Sequence, residues 1–135
     1  ATHIIVPGSH LCISINIEPQ VKDYQLAENL FETNKNLKYL GICYGHQLLS
    51  QILNPGSVKR AVMPIVGIVT VHMNTKDIIK SELFEIIPDI NIYSFHSDEV
   101  VQIPKGFIGI GSSVCCSIEM MASEDGRFLT IQSHP

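Results

Sequence analysis

Cys43 sits midway between two glycines in the run Gly41-Ile42-Cys43-Tyr44-Gly45-His46-Gln47. Leu37-Lys38-Tyr39-Leu40 precedes this run, and Leu48-Leu49-Ser50-Gln51-Ile52-Leu53 follows it. The order reads as strand, sharp turn and helix, with the cysteine at the turn. Such a nucleophile elbow is strained and brings backbones close together, so it needs small residues around the nucleophile. The helix behind it aims free N–H groups and a positive dipole end at the sulfur, which favours thiolate over thiol. A cysteine nucleophile also needs a base that takes its proton and returns one to the leaving group. It needs donors for an oxyanion as well. The chain has six histidines to choose from. His3 and His10 flank the first strand and loop, His46 lies in the elbow helix and His72 in an alternating strand, and His96 and His134 end strands.

The elements that must position these groups follow from apolar periodicity. Ile4-Ile5-Val6 is a short buried-type strand stopped at Pro7-Gly8-Ser9. Residues Val21 to Thr33 carry Tyr24, Ala27, Leu30 and Phe31 at helical spacing, with Lys22, Asp23 and Glu28 free for solvent. Tyr39 to Ile42 lacks clean alternation, as suits a central parallel strand covered on both faces. The elbow helix runs from Gly45 to Leu53 and ends at Asn54-Pro55-Gly56. Strand, helix, strand, helix favours a parallel α/β layout. Further on, Val66 to Met73 alternates, with Val69, Val71 and Met73 on one face. Ser81 caps a short helical turn through Phe84 and Ile87, stopped by Pro88. Ile90 to Phe95, Phe107 to Ile110, Ser117 to Ala122 and Phe128 to Gln132 are four more strands. Pro104-Lys105-Gly106 and Glu124-Asp125-Gly126-Arg127 are turns.

Composition narrows the function classes. The 135 residues are 45% hydrophobic and 16% charged, which is a globular balance. The formal charge is -4, with nine Lys+Arg and no basic cluster to track a phosphate backbone, which argues against nucleic acid. No apolar run reaches the ~18 residues that span a bilayer. Cys12, Cys43, Cys115 and Cys116 form neither a disulfide framework nor a zinc spacing. A reducing, cytoplasmic compartment is therefore expected. No metal and no cofactor is expected, and no phosphate-binding glycine-rich loop is present. The chain opens in a strand and stops just after another, so residues 1–135 are expected to form one domain that is incomplete at both ends.

Four segments in order carry a resemblance. Gly41 to Gln47 resembles the nucleophile motif of class I glutamine amidotransferases. His134-Pro135 is similar to the start of that family's His-Pro-Glu signature, and His96-Ser97-Asp98-Glu99-Val100 to a segment between the two. Pro7-Gly8-Ser9 resembles the loop that supplies part of the oxyanion hole. Within the family the chain is most similar to stand-alone members related to the glutaminase part of guanosine monophosphate synthetase, or to γ-glutamyl peptidases. The resemblance implies a three-layer, flavodoxin-like α/β sandwich with a mostly parallel central sheet and an antiparallel extension. It implies Cys43 as nucleophile, His134 as general acid/base, and oxyanion donors from Tyr44 and the Gly8 region. Gln47, Ser9, His96 and Asp98 fall on the substrate side. The substrate would be glutamine, giving ammonia through a γ-glutamyl thioester, with a synthase partner or domain as ammonia acceptor. Two other readings are a γ-glutamyl peptidase acting on glutathione-like compounds and a catalytically weak binding or regulatory domain. The family's acidic third triad member follows Pro135 and is absent from this sequence. Glu119 and Glu99 are the tempting substitutes, each also readable as a solvated or loop-bonding residue.

Overall fold

A computed structural model describes residues 2–15, 20–74 and 89–135. Nine elements follow one another: β1 (His3–Val6), α1 (Gln20–Thr33), β2 (Lys38–Ile42), α2 (Tyr44–Leu53), β3 (Val58–Met73), β4 (Ile90–Val100), β5 (Phe107–Ser112), β6 (Met120–Ser123) and β7 (Phe128–Ile131). The strands make one sheet in the order β1-β2-β7-β6-β5-β3-β4. The expected turn from Ser81 to Pro88 lies outside the described residues.

The expectation of a mostly parallel sheet is corrected. Only β1–β2 and β2–β7 pair in parallel. The pairs β7–β6, β6–β5, β5–β3 and β3–β4 are all antiparallel. Parallel pairing needs a crossover, and among the described helices only α1, between β1 and β2, serves a pair of sheet neighbours. From β3 onward, short turns and one long ladder return the chain on itself. That ladder also extends two of the expected strands. β3 begins at Val58 rather than Val66, with an irregularity between Arg60 and Ile65 around Pro64, where a ring lacking an N–H cannot join the ladder. β4 runs on past Phe95 to Val100, so His96 and Asp98 are strand residues. β6 starts at Met120 rather than Ser117.

The core explains which face the site occupies. Tyr39 and Phe128 are register partners on neighbouring strands, and their rings stack at 4.8 Å. Phe31 of α1 meets both edge-on, at 4.9 and 5.1 Å, geometries that aromatic quadrupoles favour. Ala27 of α1 and Leu49 of α2 join the same cluster. Both described helices therefore cover one face of the parallel strands. Among the described residues no helix covers the other face, where Ile5 is 62% exposed. Three layers are thus not present among the described residues. A separate cluster of Val69, Val71, Met73, Ile110 and Ala122 fills the antiparallel half, with Val69, Val71 and Met73 on one face as their alternation predicts.

Candidate active site

The parallel half brings the end of β2 against β1 and β7, and Cys43 stands at that end. Its backbone has φ 50 and ψ -102, the only positive φ of a non-glycine among the described residues. Holding such a conformation costs on the order of 1–3 kcal/mol and occurs where the surroundings enforce it. The enforcement is visible here. Cys43 N–H donates to the Ile131 carbonyl of β7 at 2.8 Å, and the Cys43 carbonyl accepts from Gln47 N–H at 3.1 Å as α2 begins. The sharp strand-to-helix elbow read from the sequence is present.

One point in space joins the expected groups. A methyl group placed on Gly8 would stand 2.9 Å from His134 Cε1, 3.7 Å from His134 Nδ1 and 3.5 Å from Cys43 Cβ. The loop after β1, the elbow and the segment after β7 therefore converge at the bare Gly8 backbone. His134 reaches this point because its N–H donates to the Tyr93 carbonyl of β4 at 2.7 Å. Gly8→Ala is expected to push the imidazole away from the sulfur. Turnover should fall about 10- to 100-fold while the thermal midpoint stays nearly unchanged, which paired rate and melting measurements would check.

The expectation of a favoured thiolate meets a correction in the electrostatics. Burial pushes the Cys43 thiol up; the Tyr44 backbone N–H pulls it down, and the nearby Cys12 adds slightly to the rise. Desolvation outweighs the helix terminus. The sulfur accordingly acts as a donor to the Phe95 carbonyl at 3.6 Å. A proton must leave Cys43 before it can attack, so the neighbouring imidazole has work to do.

Ser9, Cys43, Gln47, His96 and Asp98 line one cleft of about 60 Å³, together with His10, Leu11, Cys12, Phe95 and Ser97. A larger apolar cavity of about 330 Å³ lies between β1, α1 and α2 and touches Gly8 and Tyr44, but it includes neither Cys43 nor a histidine. Gln47 is buried, and its Nε2 donates to the Asp98 carbonyl at 2.8 Å and to Gln132 Oε1 at 3.1 Å. His96 Nδ1 donates to the same Asp98 carbonyl at 2.9 Å, and burial holds this imidazole below its ordinary value. The Asp98 carboxylate turns toward the loop after β1. It accepts from Ser14 N–H at 2.8 Å and Ser14 Oγ at 2.6 Å, with Arg60 Nη1 at 3.4 Å. Asp98 therefore fastens the Gly8 loop to β4. Ser14, Arg60 and the Phe95 carbonyl escape sequence reasoning, since each acts across long sequence separations with no local spacing signal.

His46 is fully buried behind the elbow, with Nδ1 and Thr130 Oγ1 2.7 Å apart. Burial drives its pKa down to about 3, against a small rise from the Ile118 backbone and a further lowering from His96. His46 is thus neutral and is not the base. The folded pKa lies below the ordinary 6.5, so between them the unfolded chain binds more protons. Stability is full above pH 6.5 and is lost as pH falls toward 3, with a slope approaching about 1.4 kcal/mol per pH unit. Urea midpoints from pH 7 to 4 should show this decline, and His46→Gln should flatten it.

Comparison with known proteins decides the family. The profile described as Glutamine amidotransferase class-I matches residues 16–135. The chain belongs to that family. Among relatives of this class I glutamine amidotransferase chain, a glutamine-hydrolyzing GMP synthase subunit of Sulfurisphaera tokodaii is 38% identical over 96 residues. That alignment covers 71% of this chain and 49% of the relative. The corresponding subunit of Sulfolobus acidocaldarius is 37% identical, covering 74% and 51%. The chain spans about half the length of these relatives. A Thermoplasma acidophilum protein described as a GMP synthase subunit shares the fold at TM-score 0.78 and 22% identity, covering 99% of this chain and 63% of that one. A glutamine amidotransferase from Thermotoga maritima does so at 0.79 and 21%, covering 98% and 55%. The class I amidotransferase fold is therefore shared, with its sheet of mixed direction.

Proposed function

We propose that the protein hydrolyses the side-chain amide of glutamine through a γ-glutamyl thioester on Cys43. The carrying observation is the convergence of Cys43, His134 and the bare backbone of Gly8 at one point. His134 takes the Cys43 proton as the sulfur attacks the amide carbon. The backbone N–H groups of Tyr44 and the Gly8–Ser9 loop receive the oxyanion. Collapse breaks the C–N bond, and His134 returns its proton to the departing nitrogen, which leaves as ammonia. Water, deprotonated by the same imidazole, then cleaves the thioester to glutamate. Gln47, Ser9 and His96 shape the substrate side of the cleft, and Asp98 holds its loop.

The names of the relatives suggest the consumer of the ammonia. The protein acts as a glutaminase subunit beside a synthetase subunit that makes guanosine monophosphate. The same reading makes it cytoplasmic, supported by four cysteines of which none is in a disulfide. The test is ammonia and glutamate production from glutamine, with γ-glutamyl peptides in parallel, before and after adding the synthetase subunit. Equal amounts of ammonia and glutamate from glutamine support the reading. Turnover of γ-glutamyl peptides alone would replace glutamine as the substrate.

A further inference from the structure

Glu119 lies just before β6 and is fully buried. A carboxylate removed from water is costly unless its oxygens are hydrogen-bonded, and here both are. Ser113 Oγ donates to Oε1 at 2.7 Å, and Ser133 Oγ donates to Oε2 at 2.9 Å. The Glu119 backbone is engaged too: its N–H reaches the Gly111 carbonyl at 3.0 Å, and its carbonyl accepts from Gln132 N–H at 2.7 Å. One residue thus ties the end of β5, the loop at 113–116 and the stretch Gln132-Ser133 immediately before His134.

We infer that Glu119 is a positioning residue that sets the catalytic imidazole through Ser133. This rests on the reading of Cys43 and His134 as the reacting pair. The His134 backbone is gripped from two sides, by Tyr93 of β4 at its N–H and by Glu119 at the two residues before it. Fixing the chain there limits how far the imidazole drifts from the sulfur, and small misplacements of reacting groups carry large rate penalties. The competing role for Glu119 is to close the 113–116 loop, since Ser113 Oγ also accepts the N–H groups of Cys115 and Cys116. The two serines separate these roles.

Ser133→Ala and Ser113→Ala each remove one hydroxyl from the Glu119 carboxylate. Ser133→Ala should lower kcat for ammonia release about 10-fold or more with KM within about twofold, whereas Ser113→Ala should change thermal stability but leave kcat nearly unchanged. Glu119→Gln, which can still pair with both hydroxyls, should retain more activity than Glu119→Ala. A second readout needs no glutamine: the pH profile of Cys43 alkylation by iodoacetamide reports the sulfur–imidazole pairing directly. Ser133→Ala should displace that profile, and Ser113→Ala should not. Equal effects of the two serine variants on the profile, or none from either, would overturn the inference. A wild-type protein inert toward glutamine would count against the proposed function, while the alkylation profile would still decide the role of Glu119.

Discussion

Replacing Cys43 with alanine should reduce ammonia release from glutamine by at least about 10³-fold, to the level of the uncatalysed background. The variant should fold as the parent does. Cys43 Cβ remains, so the elbow keeps its backbone bonds to Ile131 and Gln47, and the lost contact is a single weak donation to the Phe95 carbonyl at 3.6 Å. Alanine at positive φ is strained, but so is cysteine, so the two nearly cancel. A matched unfolding curve and a missing activity would assign the loss to chemistry. Activity within tenfold of the parent would remove Cys43 from the mechanism.

Gly45→Ala should have the largest structural effect of any single methyl in the site. The added carbon would lie 2.0 Å from the Val6 carbonyl oxygen and 2.8 Å from its carbon. Both are backbone atoms of β1, which no rotamer change can move. Relief requires α2 to shift off the sheet, taking the elbow with it. A loss of at least about 3 kcal/mol is expected, with failure to fold as its extreme. Urea denaturation would show it, and a change below about 1 kcal/mol would mean that α2 sits less tightly on β1 than described. The methyl at Gly8 is a useful contrast, because it meets the flexible end of the His134 side chain instead of backbone.

The same contrast explains how much is legible in the sequence. The elbow is encoded locally: Gly41, Cys43 and Gly45 sit within five residues, and the requirement for small neighbours is a matter of adjacent backbones. The convergence of the Gly8 loop and His134 on Cys43 is not local, and it is reached only through the resemblance of the separate segments. Sheet direction is misleading because the first two strands and their helices do form a parallel unit, whereas the long β3–β4 ladder depends on pairing partners far apart in the chain. The end of β4 is hidden for a physical reason. Ser94, His96 and Asp98 are buried at every second position up to Val100, which is strand periodicity carried by polar residues instead of apolar ones. A functional cleft makes that substitution, and hydrophobic alternation cannot report it. Glu119 is similar: its position beside Ile118 and Met120 gives no hint that two serines, Ser113 and Ser133, satisfy its carboxylate.

The covalent intermediate is the step on which the mechanism stands. Acid quenching of the protein during turnover of glutamine, followed by peptide mapping in a mass spectrometer, would test it most directly. One γ-glutamyl group is expected on the peptide containing Cys43, lost on treatment with hydroxylamine and absent from Cys43→Ala. Steady ammonia release with no acyl group on Cys43, or with the group on another cysteine, would contradict the mechanism.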